Sequence, residues 1–176
     1  MSSYERLNSD QGVESERQRC SNTNKISLFV WIAVLILVGS VSGALTRSQI
    51  KNWYTTLNRS PLTPPNIVFP IAWTTLYTMI AICGWMIWKA PLFPKIKLIK
   101  ELYVLQLILN WSWTPLFFSF HLTGCSLLVI VIMDVAVSLI IYLAYQNLRK
   151  VSYLMTPYLL WILFATYLNF YIWQHN

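Results

Sequence analysis

The chain has 176 residues, of which 56% are hydrophobic, 15% aromatic and only 11% charged, with a formal net charge of +7. Soluble domains carry about 25% charged residues, so a soluble enzyme is disfavoured, and disorder, collagen and coiled coil are excluded for the body of the chain. Residues 1–25 hold 8 of the 19 charges and sum to zero, which leaves 9 basic and 2 acidic residues behind them. A positive body without a basic cluster lacks the exposed phosphate-binding face that nucleic acid requires. Cations flanking membrane spans account for it better.

In chain order, the polar segment 1–25 is expected to be a disordered tail ahead of a transmembrane domain over 26–176. Spans are read from apolar runs of about 20 residues. The first covers Ile26 to Thr46, between Lys25 and Arg47, and lacks the small-residue cleavage site of a signal peptide. Within it Gly39 and Gly43 form a GxxxG pair that permits close helix approach; packing inside the molecule is favoured over a dimer seam, and a homodimer stays open. The loop over 47–66 is proline-rich, and Pro61, Pro64 and Pro65 predict that it continues neither helix 1 nor helix 2. Trp53 and Tyr54 lie in it at interface depth, and it reads either as a linker or as a lid over the bundle.

The second span covers about 67–88 and is stopped by Lys89 and Pro91. The third covers about 96–118, with Lys97, Lys100 and Glu101 in its first turns, where long side chains reach the headgroups. The fourth and fifth cover about 122–144 and 154–173. The expected fold is therefore an all-α membrane protein, a five-transmembrane-helix bundle with a proline-rich helix 1–2 lid loop. An odd helix count with no internal repeat argues against an inverted-repeat transporter. Lysine and arginine concentrate on the side of the tail, the 89–101 loop and the 145–153 loop, which predicts a cytoplasmic tail. Cys20, Cys83 and Cys125 have neither CxxC spacing nor an even number, so no disulfide framework or zinc site is read, and no metal or cofactor is expected.

Polar residues inside lipid must find partners or face a cavity. Tyr103, Gln106, Asn110 and Trp113 follow one another at helical spacing on the third span. Trp73, Tyr77, Ala81, Gly84 and Trp88 do so on the second, and Tyr158, Trp161, Ala165 and Asn169 on the fifth. Three faces mixing rings, small residues and amides suit either ordinary packing or a pocket for a flat apolar ligand. Asp134 is the single charge deep in a span, and structural hydrogen bonding is weighed above a ligand or proton role. No second acid lies near it, and His121 and His175 form no convincing nucleophile triad or haem site, so the chain does not read as an enzyme.

Three segments carry a resemblance: WYTTLNRSPLTPPNIVFPIAWTTLY at 53–77, LNWSWTPLFF at 109–118 and PYLLWILFATYLNFYIW at 157–173. In order and spacing they resemble the translocator protein / tryptophan-rich sensory protein family, also called peripheral-type benzodiazepine receptors. The resemblance implies a five-helix receptor or carrier that binds porphyrins, with sterols and benzodiazepine-type drugs as further ligands, in a pocket closed by the helix 1–2 loop. It places pocket residues on Trp73, Asn110, Trp113 and Trp161, with Ala165 on the same helix-5 face and Trp53, Pro64 and Pro65 in the lid. It also implies a mitochondrial outer membrane in a eukaryote and the cell membrane otherwise. Mitochondrial members are described with the C-terminus toward the cytosol, opposite to the charge-based orientation. The other readings are a stress or sensory protein acting through partners, and a porphyrin-degrading protein. Many relatives have tryptophan at the positions of Leu62 and Cys125. Phe170 and Gln174 break the sterol motif of animal relatives.

Overall fold

The computed structural model describes the backbone of residues 3–176 and the side chains from Thr23 onward, except those of Leu45 and Arg47. Among the described residues there are five α-helices: α1 (Ser3–Asn52), α2 (Val68–Lys89), α3 (Ile96–Thr114), α4 (Thr123–Ala144) and α5 (Arg149–His175). A 3-10 turn at Tyr54–Thr56 follows α1, and a π-helical turn at Pro115–Ser119 continues α3. Around the bundle the neighbours run α1, α2, α5, α4, α3 and back to α1.

Helix ends follow from proline and from lost backbone donors. Ala90, which precedes Pro91, is extended at ψ 142 and closes α2, because proline disfavours the helical region for the residue before it. Pro115 has no N–H to give to the preceding turn, so the ladder widens and Phe120 N–H reaches back to the Pro115 carbonyl at 3.0 Å. His121, at φ 56, then reverses the chain into α4. Such a left-handed residue is uncommon outside glycine, although histidine is among the enriched types.

Three boundaries differ from expectation. The backbone is helical from Ser3, where a disordered tail was expected; the tail's side chains before Thr23 lie outside the described residues. α1 runs through Asn52 instead of stopping at Thr46, since 47–52 holds no proline or glycine and the prolines act only from Pro61 onward. α5 starts at Arg149, not Leu154. Residues 149–153 are polar enough to escape an apolar-run criterion, yet Ser152 Oγ donates to the Ile141 carbonyl at 2.8 Å and ties that first turn to α4.

Among the described residues, Thr23–Asn52 of α1, α2, α4 and α5 are long and apolar enough to cross a membrane. α3 misses that standard through Lys97, Lys100 and Glu101, which all sit in its first turns. From Leu102 to Ser119 it has no charge, and helical rise over that stretch gives about 27 Å, close to the hydrocarbon thickness. Lys89 hydrogen-bonds Asn24, which puts the Thr23 end of the α1 span beside the end of α2. Lys25, Lys89, Lys95, Lys97, Lys100, Arg149 and Lys150 therefore share one end of the bundle, opposite Lys51 and Arg59.

The core lies between α2, α3, α4 and α5, with Ile80, Cys83, Ile99, Tyr103, Ile140, Met155 and Tyr158 fully buried. α1 contributes Leu35 and leaves Ile26, Phe29, Val30, Val34, Leu37 and Val41 exposed, as a lipid-facing helix does. A Cβ on Gly39 would collide with the Tyr77 ring, whereas Gly43 faces open space. The first glycine of the GxxxG pair is thus used for packing inside the molecule.

Candidate ligand-binding site

The α2, α3 and α5 faces singled out by spacing do meet. Tyr77 O–H donates to Asn110 Oδ1 at 2.6 Å, and Asn110 Nδ2–H donates to the Tyr158 hydroxyl at 3.0 Å. Tyr158 passes its own proton to Gln106 Oε1 at 3.0 Å. Asn110 is 4% exposed and Gln106 and Tyr158 are fully buried, so this chain joins three helices through groups that water does not reach. Gln106 Nε2 ends it without a partner. Asn110, expected as a ligand contact, has its amide committed to two tyrosines.

A second polar node sits one turn nearer the lid. Trp113 Nε1–H donates to Asn169 Oδ1 at 3.1 Å, and Asn169 Nδ2–H donates to the Thr123 carbonyl at 2.9 Å. Ser126 Oγ lies 2.9 Å from the same Asn169 oxygen. This holds Trp113 flat on Phe117, with ring centroids 5.0 Å apart and planes at 14°. The lid residue Trp53 meets Phe117 edge-on at 5.6 Å and stacks on His121 at 4.0 Å. Phe117 thus links the lid to Trp113 in the bundle. The stripe read from spacing stops at Trp113, although Phe117 lies four residues further on and continues it.

Trp73 and Trp161 are half-buried on the adjacent helices α2 and α5. Trp73 lies 5.5 Å from Tyr77, and Trp161 meets Phe69, in the first turn of α2, edge-on at 6.0 Å. Ala165 packs half-buried against the core one helical turn beyond Trp161. Half-burial leaves both indoles with ring surface to offer, whereas Asn110 has none. Pro65 is exposed and gives its carbonyl to Val68 N–H at 2.9 Å, and Pro64 is half-buried. The prolines thus shape the entry to α2.

The 1–2 connection is fastened to the end of α5. Asn58 N–H donates to Asn176 Oδ1 at 2.9 Å, Asn58 Nδ2–H donates to the His175 carbonyl at 3.2 Å, and Ser60 Oγ and the Tyr167 hydroxyl are 2.9 Å apart. Burial pushes the Tyr54 hydroxyl above its ordinary pKa, and the Arg59 guanidinium over its ring opposes that. Of the two readings of this loop, the packed lid is the one found. A cavity of about 570 Å³ opens between this strap and α5. Asp134, 8% exposed in α4, takes its place through Thr166, whose Oγ1 is 2.7 Å from Oδ2, while Oδ1 has no partner. Among the described residues no group of three or more His, Cys, Asp or Glu is arranged to hold a metal.

Residues 31–174 match the sequence model of the TspO/MBR family. A tryptophan-rich protein TspO from Archaeoglobus fulgidus is 35% identical over 153 residues, covering 87% of this chain and 99% of its own. The translocator protein of Bos taurus is 33% identical over 142 residues, 80% of this chain and 84% of its own. A tryptophan-rich sensory protein of Cereibacter sphaeroides is 31% identical over 144 residues, 82% and 88% of the two chains.

Proposed function

Because this chain belongs to the TspO/MBR family, we propose that it is an integral membrane receptor or carrier for porphyrins. Sterols and benzodiazepine-type compounds form a second ligand class. The observation that carries the reading is the pair of half-buried indoles on neighbouring helices, Trp73 on α2 beside Tyr77 and Trp161 on α5 beside Phe69. A large flat ring gains most from aromatic faces that present area without costing much side-chain entropy. α2 and α5 are neighbours in the bundle, and in this reading the ligand enters between them from the hydrocarbon region.

Binding takes the form of stacking and burial with little covalent chemistry. In this reading Asn110 and Tyr158 tie α2, α3 and α5 together and do not contact the ligand. Porphyrin breakdown is an oxidative ring opening that needs an oxidant, and no such step is assigned to Trp73 and Trp161. The host membrane in this reading is the outer mitochondrial membrane of a eukaryote or the cell membrane of a prokaryote.

The test is a protoporphyrin titration by tryptophan quenching in detergent. Trp73→Ala and Trp161→Ala are each expected to weaken binding about tenfold, the worth of one stacked ring, while circular dichroism stays unchanged. Equal affinity in both folded variants refutes the site.

A further inference from the structure

The cavity between the lid strap and α5 does not coincide with the indole pair. Its walls are Leu57, Asn58, Arg59, Ser60 and Thr63 on one side and Tyr171 and His175 on the other. The walls are fixed by the Asn58 clamp on His175 and Asn176 and by the Ser60–Tyr167 contact. Inside this frame Arg59 lays its guanidinium 5.4 Å over the Tyr54 ring. Tyr54 is itself held against Phe117 and Phe118. One face of the guanidinium is therefore backed by an aromatic ring, and its N–H edges remain for a ligand.

Arg59 makes no ion pair among the described residues. The acidic side chains there are Glu101 and Asp134. Glu101 pairs with Lys97 at 3.9 Å at the opposite end of the bundle, and Asp134 is held by Thr166 in mid-span. The cavity also sits at interface depth. Below it on α5, Tyr171, Tyr167 and Leu163 follow at four-residue spacing, and Tyr167 and Leu163 are exposed to the lipid side. A polar, cation-bearing chamber above an apolar track has the shape of an amphiphile's head and body.

We infer that this cavity binds the anionic head, carboxylate or phosphate, of a membrane amphiphile, with Arg59 as its charge partner and the Leu163–Tyr167–Tyr171 stripe beneath it. Arginine suits both head groups because its forked donors match two oxygens at once. The head belongs either to a porphyrin side chain or to a phospholipid. The porphyrin source rests on the function proposed above; the phospholipid source does not.

Arg59→Gln separates these possibilities in the full-length protein. The first arm titrates protoporphyrin against its dimethyl ester in a neutral detergent. The second compares retention of phosphatidylglycerol and phosphatidylcholine on the purified protein by native mass spectrometry. A loss of about tenfold for the diacid alone supports the site and assigns it to carboxylate; an equal loss for phosphatidylglycerol alone supports it and assigns it to phosphate. Arg59→Lys should recover part of either loss. No change in either arm, or equal changes for the neutral and anionic ligand, overturns the inference. Should the porphyrin reading itself fail, the wild-type protein binds neither diacid nor ester, and the lipid arm alone decides.

Discussion

Asn110 shows how much a single amide does in this bundle. It joins α2 to α5 through Tyr77 and Tyr158 while sitting on α3. Asn110→Ala strands the Tyr77 hydroxyl and removes the N–H that Tyr158 accepts, leaving Tyr158 its bond to Gln106, and is expected to cost about 1–2 kcal/mol, the range for a buried or intramembrane hydrogen bond. That is read as a lowered thermal midpoint in detergent, and an unchanged midpoint contradicts the linking role. Asp134 makes the opposite case. Asp134→Asn keeps an acceptor for the Thr166 hydroxyl and removes a formal charge that costs about 2.5–3.5 kcal/mol at a helix centre on insertion scales. The midpoint should hold or rise; a fall of several degrees would show that the charge itself is required. The sequence marked Asn110 as polar and on the right stripe, yet its partners are 33 and 48 residues away. One helix face does not reveal which groups on other helices will consume its hydrogen bonds, and the amide of Asn110 is taken up by Tyr77 and Tyr158.

At the scale of elements, apolar runs located all five helices but not their polar ends. Helices stop where backbone hydrogen bonding stops, and neither 47–52 nor 149–153 contains a residue that breaks it. Pro115 had a visible meaning as a missing donor, but its outcome, a π-turn whose Phe117 meets Trp53, depends on what packs against the turn. The lid is the element with a direct test. Its attachment to α5 rests on the side chains of Asn58, Ser60 and Asn176, so the triple variant Asn58→Ala, Ser60→Ala, Asn176→Ala should raise hydrogen exchange over 57–66 by about tenfold for each 1.4 kcal/mol of lost contacts. Exchange in α4 should not move. Protection that persists over 57–66 would place the lid's anchorage elsewhere.

For the whole molecule, seven basic side chains gather at the end that includes Lys25 and Lys89, while Lys51 and Arg59 lie at the other. This distribution predicts a cytoplasmic Thr23 end of α1, and protection of an N-terminal tag from external protease is the expected result. The central claim is that an apolar ring compound rests against Trp73 and Trp161. The chain has nine tryptophans, and each indole N–H gives a separate nuclear magnetic resonance signal that a porphyrin ring current displaces. Titration with protoporphyrin should move the Trp73 and Trp161 signals most and leave Trp31, Trp85 and Trp88, near the lysine-rich end, in place. Displacement confined to those last three, or absent from Trp73 and Trp161, would contradict the account.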